Sequence, residues 1–272
     1  MQYVKVTFVT SDQEGSDMLM ALLADAGYDG FEEDGNKLYA YIDQPKFHED
    51  ELRSVSKLLG VDYELEIIPA QNWNALWESN FPPVVVPGFC TIRAHFHDME
   101  VSTPYEIIIT PKMSFGTGHH ATTQLMMQLM SGLELAGKKV LDFGTGTGVL
   151  AILAEKLGAT DILAIDNDEW PVENAIENAA RNQCEHITVR LGSLEAIEPY
   201  HCEVILANIN RHILLHYMTS LYETLNSGGK LLMSGLLAED NDIIREAAEA
   251  AGFQFIEIME QSNWIALSFK KA

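Results

Sequence analysis

At 272 residues, 47% of them hydrophobic, the chain can bury one large core or one medium and one small core. Its 40 acidic and 17 basic side chains give a formal net charge of -23, which repels phosphate backbones and anionic lipid and favours a basic partner. Cys90, Cys184 and Cys202 lie far apart without a CxxC pair, which fits reduced thiols in a cytoplasmic protein and excludes a disulfide framework.

The N-terminus alternates polar and apolar residues from Tyr3 to Val9, as a strand does, and lacks the apolar stretch and cleavage site of a signal peptide. No apolar run approaches the length needed to span a bilayer. Strand Tyr3–Val9 leads to helix Ser16–Ala26, strands Gly30–Glu33 and Lys37–Ile42, helix Glu49–Leu59 and strand Val61–Ile67. This order predicts a small α+β sandwich of ferredoxin-like type over residues 1–68. Residues 1–64 hold 14 acidic and 5 basic side chains, scattered without a catalytic constellation. Residues 69–88 read as a linker: Trp73 and Trp77 share a face of a short helix, and Pro82-Pro83 and Pro87-Gly88 bound a hinge.

The remainder, 89–272, is expected to be a second domain. Strand-like stretches at 89–96 and 105–110 precede a regular alternation: helix 121–134, strand 139–143, helix 149–157, strand 161–165, helix 171–182, strand 186–190, strand 203–207, helix 211–225, strand 230–235 and helix 239–251. Strands 253–259 and 263–269, joined by Glu260-Gln261-Ser262, read as a closing hairpin. The fold class is therefore α/β, a Rossmann-like, mostly parallel sheet with a C-terminal antiparallel strand.

The central motif is Val140-Leu141-Asp142-Phe143-Gly144-Thr145-Gly146-Thr147-Gly148, a buried strand entering a glycine loop and a helix. Glycines allow close backbone approach and positive φ, and the helix N-terminus behind them offers free N–H groups. The spacing is GxGxG. Val149 stands where the dinucleotide fingerprint has its third glycine. Asp166 ends the next strand 22 residues after Gly144, where a carboxylate can accept two hydrogen bonds from a ribose diol. It could instead cap the following helix, although Asp168 suits that role better. Upstream, Ser114-Phe115-Gly116-Thr117-Gly118-His119-His120 forms a second glycine loop, placed to close over a ligand, with Thr122 and Thr123 as candidate caps of the helix after it. His119 and His120 have no third ligand nearby and cannot easily converge on one ion, so no metal is expected. At the end of strand 203–207, Asn208 is aimed at the ligand crevice and Asn210 at capping the next helix.

Together, Phe115-Gly116-Thr117-Gly118-His119-His120-Ala121-Thr122-Thr123, the Asp142–Gly148 loop, Ile165-Asp166 and Ala207-Asn208-Ile209 closely resemble the bacterial ribosomal protein L11 methyltransferase family, along nearly the whole chain. The resemblance implies a class I, S-adenosylmethionine-dependent N-methyltransferase. Its substrates would be lysine side-chain and N-terminal amines of a basic ribosomal protein, without nucleic acid or membrane partners, and a monomer is expected. It carries cofactor contacts over to Thr123, Gly144, Asp166 and Asn208. Gly146, Phe115, Gly116 and Thr117 complete the expected cofactor set, and Asn208 is the expected catalytic residue. Family members often have leucine where this chain has Asn210. The competing readings are methylation of another protein or small-molecule amine, a nicotinamide-dependent oxidoreductase, and a binding module that kept the fold.

Overall fold

The computed structural model describes residues 3–10, 12–68, 81–112, 114–197 and 200–272; Trp73 and Trp77 lie outside the described residues. The chain divides between Asn80 and Phe81 into two compact units.

In the first unit, β1 (Tyr3–Val9), α1 (Gln13–Asp25), β2 (Gly30–Asp34), β3 (Lys37–Asp43), α2 (Glu49–Leu59) and β4 (Tyr63–Ile68) follow in order. The sheet order is β2-β3-β1-β4, antiparallel at each described pairing, which is the ferredoxin-like arrangement expected. Strand alternation turns Val4, Val6 and Phe8 of β1 and Leu38, Ala40 and Ile42 of β3 inward against Leu19 and Leu23 of α1 and Leu52 of α2. Helix α1 begins three residues earlier than its apolar spacing suggests, because Asp12 caps it by accepting a hydrogen bond from Gly15 N at 2.9 Å.

The second unit opens with a three-stranded sheet of β5 (Val84–Val86), β6 (Cys90–Ala94) and β7 (Tyr105–Ile109). Strand β5, only three residues between Pro82-Pro83 and Pro87-Gly88, is too short to show an alternation. There follow α3 (Ala121–Met130), β8 (Lys139–Phe143), α4 (Val149–Lys156), β9 (Asp161–Asp166), α5 (Glu169–Arg181), β10 (Ile187–Leu191), β11 (Cys202–Asn208), α6 (Arg211–Thr224), β12 (Leu225–Leu237), α7 (Asn241–Ala251), β13 (Phe253–Gln261) and β14 (Trp264–Lys271). They form a sheet of order β10-β9-β8-β11-β12-β14-β13. The strands from β10 to β12 are parallel and β14 is antiparallel to both neighbours.

Alternation along the central strands feeds two cores. Val140, Ile162, Ala164, Val204 and Leu206 face the side covered by α3 and α4. Leu141, Leu163, Ile165, Ile205 and Ala207 face the side covered by α6 and α7. Both faces are buried, which is why these strands read as nearly continuous apolar runs. Two boundaries differ from expectation. Helix α3 ends at Met130, not at 134, because Ser131 turns its hydroxyl onto Gln128 O at 2.6 Å and Gly132 follows. The closing hairpin turns at Ser262-Asn263, both with positive φ (52° and 66°), and Gln261 is the last residue of β13, paired with Trp264.

Strand β7 pairs with β6 along one edge. Its other edge is bonded by α5 through asparagines one turn apart. Ile108 N donates to Asn182 and Thr110 N to Asn178, at 2.9 and 2.8 Å. The amides of Asn182 and Asn174 donate to Ile108 O and Thr110 O. Asn178 also donates to Thr147 O, in the glycine loop, at 2.9 Å. Asn174 and Asn178 are fully buried. Replacing Asn178 with Ala strands Thr110 N and Thr147 O in the interior, so Asn178→Ala should lower unfolding stability by about 1–3 kcal/mol. Urea denaturation measures this; a loss within about 0.5 kcal/mol, the range of neutral surface changes, would show the ladder to be incidental.

Candidate functional site

The carboxyl ends of the parallel strands open onto a cavity of about 570 Å³. Strand order places its lining. At one side stand Gly192 and Ser193 after β10, with Asp166, Asn167 and Asp168 after β9. At the centre are Gly144 and Gly146 after β8. At the other side are Asn208, which closes β11, with Ile209 and Asn210 after it, Gly235 of β12 and Trp264 at the start of β14. This is where an open α/β sheet holds its ligand.

The glycine loop is shaped by contacts that leave no room for side chains. Gly144 has φ 76°, and a Cβ there would overlap the Ile209 methyl. Gly146 has φ 55°, and a Cβ there would overlap the Phe115 carbonyl. Beneath the loop, the fully buried Asp142 carboxylate accepts from Thr145 Oγ1 at 2.6 Å and from Ala151 N at 3.2 Å. Burial pushes this carboxyl up to about 7; the two hydrogen bonds favour the charged form, and the neighbouring Asp166 charge raises it a little further.

Asp166 accepts from Gly146 N at 3.0 Å through one oxygen and from Asp168 N at 3.3 Å through the other. It is half-buried at the cavity wall and does not cap α5; Asp168 does, accepting from Trp170 N. Asn208 lines the cavity; its Nδ2 donates to Thr123 Oγ1 at 3.4 Å, while its Oδ1 is buried without a partner. Asn210 caps α6 through Ile213 N at 3.2 Å.

The expected site residues therefore divide. Phe115, Gly144, Gly146, Asp166 and Asn208 line the cavity. Thr123 is buried behind it, holding the Asn208 amide. Gly116 and Thr117 brace the upstream loop instead: Gly116 O accepts from Thr147 Oγ1 at 2.6 Å, and Thr117 Oγ1 meets His119 Nδ1 at 3.2 Å. Neither Thr122 nor Thr123 caps α3. His120 does, accepting from Thr122 N, because the helix begins at Ala121 and both threonines are already inside it. His119 Nε2 bonds Pro82 O at 2.9 Å.

Other lining residues escaped the sequence reading. Ser193 lies just past the end of β10 and Asn208 closes β11, so the same strand-end rule could have found Ser193. Tyr217 reaches in from α6, its hydroxyl on Glu195 at 3.2 Å, and no local pattern marks it. His120 and Trp264 meet edge to face at 4.6 Å, with Phe115 beyond His120 at 5.3 Å. They form an aromatic wall beside Asn208.

Comparison with known proteins agrees with this geometry. The family model described as Ribosomal protein L11 methyltransferase (PrmA) matches residues 9–272. A ribosomal protein L11 methyltransferase of Porphyromonas gingivalis is 44% identical over 261 residues, covering 93% of this chain and 90% of that protein. One from Phocaeicola vulgatus is 38% identical over 99% of both chains. The crystal structure of a ribosomal protein L11 methylase from Lactobacillus delbrueckii subsp. bulgaricus superposes with a TM-score of 0.66 at 32% identity, covering 70% of this chain and 99% of that one.

The buried Asp142 carboxyl makes stability depend on pH. Its folded pKa, about 7, lies above the unfolded value near 3.9, so its contribution to stability is full below pH 4 and lost as pH rises through 7. Asn at this position carries no such titration. The stability of Asp142→Asn relative to wild type should therefore improve by about 2 kcal/mol between pH 5 and pH 8. Parallel stability–pH curves for the two proteins would reject a neutral, buried Asp142.

Proposed function

The chain belongs to the ribosomal protein L11 methyltransferase family, and we propose that it transfers methyl groups from S-adenosylmethionine to lysine side-chain and N-terminal amines of ribosomal protein L11. The observation that carries this reading is the buried, partnerless Asn208 Oδ1 beside an aromatic wall at one end of the cavity. A buried acceptor without a donor costs free energy unless a ligand supplies one.

The residues present fit the cofactor. A glycine loop without Cβ atoms at Gly144 and Gly146 admits a ligand against the backbone. The Asp166 carboxylate, fixed by two main-chain N–H groups, keeps acceptor capacity for a ribose diol. When bound, the cofactor supplies an electrophilic sulfonium methyl, so the protein positions and desolvates. A lysine amine is neutral in only about one molecule in a few thousand at pH 7, and only the neutral form has a lone pair to attack. Asn208 Oδ1 can accept a hydrogen bond from an N–H of the neutral amine and orient the lone pair. A carboxylate there would stabilise the ammonium and oppose deprotonation. Phe115, His120 and Trp264 would flank the alkyl stem and exclude water.

Asn208→Asp should accordingly lower kcat at saturating substrate by about tenfold or more while cofactor Kd changes little. Equal kcat in the two proteins would remove Asn208 from the acceptor role.

The direct test is the intact mass of ribosomal protein L11 after incubation with enzyme and S-adenosylmethionine. Increments of whole methyl groups are expected, lost with Asp166→Ala, and methylation at limiting substrate should slow as salt screens the acidic surface. Cofactor binding without any mass shift would leave the fold and move the substrate to another amine.

A further inference from the structure

Three chain segments build the acceptor end of the cavity: the loop carrying Phe115 and His120, the end of β11 with Asn208, and the start of β14 with Trp264. Strand pairing fixes β11 against β12, and β12 against β14. The upstream loop that carries Phe115 and His120 has no such attachment to the β13–β14 hairpin. Among the described residues, no main-chain hydrogen bond joins them. Yet the distance between His120 and Trp264 decides how wide the wall stands.

One side chain bridges the two. Gln124, a turn along α3 from His120, donates from Nε2 to Gly118 O at 3.1 Å and to His119 O at 3.3 Å. Its Oε1 accepts from Gln261 Nε2, at the tip of the hairpin, at 3.0 Å. A primary amide is suited to this post because it carries two donors and an acceptor on one planar group. Glu would face two carbonyl oxygens with a negative charge, and Met would keep the length and lose all three bonds. Both glutamines are half-buried, and neither lines the cavity.

We infer that Gln124 and Gln261 are a positioning pair: they lock the upstream loop of Phe115 and His120 to the hairpin and so set the width of the aromatic wall that presents an amine to Asn208. The inference rests on the reading of that end as the acceptor site. The wall's two halves sit on separate segments, so a small displacement of either misaligns the amine without disturbing Gly144, Gly146 or Asp166. The pair therefore acts on transfer and spares cofactor affinity.

The test uses wild type, Gln124→Met, Gln261→Met and the double variant, each labelled with 5-fluorotryptophan. The Trp264 fluorine resonance is assigned with Trp264→Phe. Each single variant should shift or broaden that resonance. Each should keep S-adenosylmethionine Kd within about twofold and lower kcat on ribosomal protein L11 by about tenfold, and the double should be no worse than the poorer single. An unmoved Trp264 resonance in both singles, or losses that multiply in the double, overturns the pair. Should Gln124→Met fail to fold, Gln261→Met alone removes the same bond from the hairpin side and must move the Trp264 resonance. If wild type itself leaves ribosomal protein L11 unmodified, the substrate reading fails, while the resonance still decides for or against the pair.

Discussion

The turn from Gly144 to Gly148 is packed so tightly that two of its positions admit no side chain, and the rest of the site takes its place from that packing. Ile209 presses on Gly144 from the end of β11, and the Phe115 carbonyl presses on Gly146 from the upstream loop. Thr147 then fixes the upstream loop twice: its amide donates to Phe115 O at 2.9 Å and its hydroxyl to Gly116 O. Asp166 holds Gly146 N from the neighbouring strand. The loop is thus the meeting point of β8, β9, β11 and the Phe115 segment. Asn178 ties the same loop to the edge of β7. Glycine here permits positive φ, and it also lets four segments approach one backbone closely.

Beneath that turn lies a polar group that the hydrophobic pattern alone would forbid. Asp142 sits in the middle of an apolar strand and is fully buried. Its oxygen collects Thr145 Oγ1 and Ala151 N, joining the start of the loop to the first turn of α4. A buried carboxyl is tolerated where it is satisfied and can bind a proton. The two acids of the site are therefore differently placed: Asp142 inside the scaffold, under the loop, and Asp166 at the cavity wall, bonded to backbone and open to a ligand.

The elements legible in sequence were those whose signal is local. The glycine loop between strand and helix, the carboxylate at the end of the next strand, and the polar residue after four apolar ones in β11 all announce themselves within a few residues. Each of these lies at the cavity. The caps Asp168 and Asn210 were legible for the same reason. What sequence reading missed depends on distant pairing. Trp264 reaches the cavity because β14 runs against its neighbours and brings its amino end to the carboxyl ends of the others. Tyr217 and the Gln124–Gln261 bond depend on how helix and hairpin pack. The asparagines at 174, 178 and 182 do carry a helical period, but a polar stripe reads as a solvated face until the bare edge of β7 is seen beside it. Thr122 and Thr123 misled in the opposite direction: their residue type suits a cap, yet His120, one position before the helix, already holds that post.

The overall charge and the acceptor end pull against each other, and their separation in range reconciles them. A net charge of -23 attracts a basic protein as a cation and, taken alone, stabilises its ammonium groups. That field is screened within about 8 Å at physiological salt. The proposed acceptor end is lined by the Asn208 amide and by Phe115, His120 and Trp264, whereas Asp166 and Asp168 stand on the β9 side, across the Gly144 loop. On the proposed function, an amine drawn in by long-range attraction would meet an amide and aromatic rings in its last few ångströms, and desolvation there would favour loss of its proton. Placing a carboxylate at Asn208 would extend the attraction to the point where it hinders the chemistry. The same proposal accounts for an aromatic wall there: rings exclude water, whereas a carboxylate would offer a counter-charge.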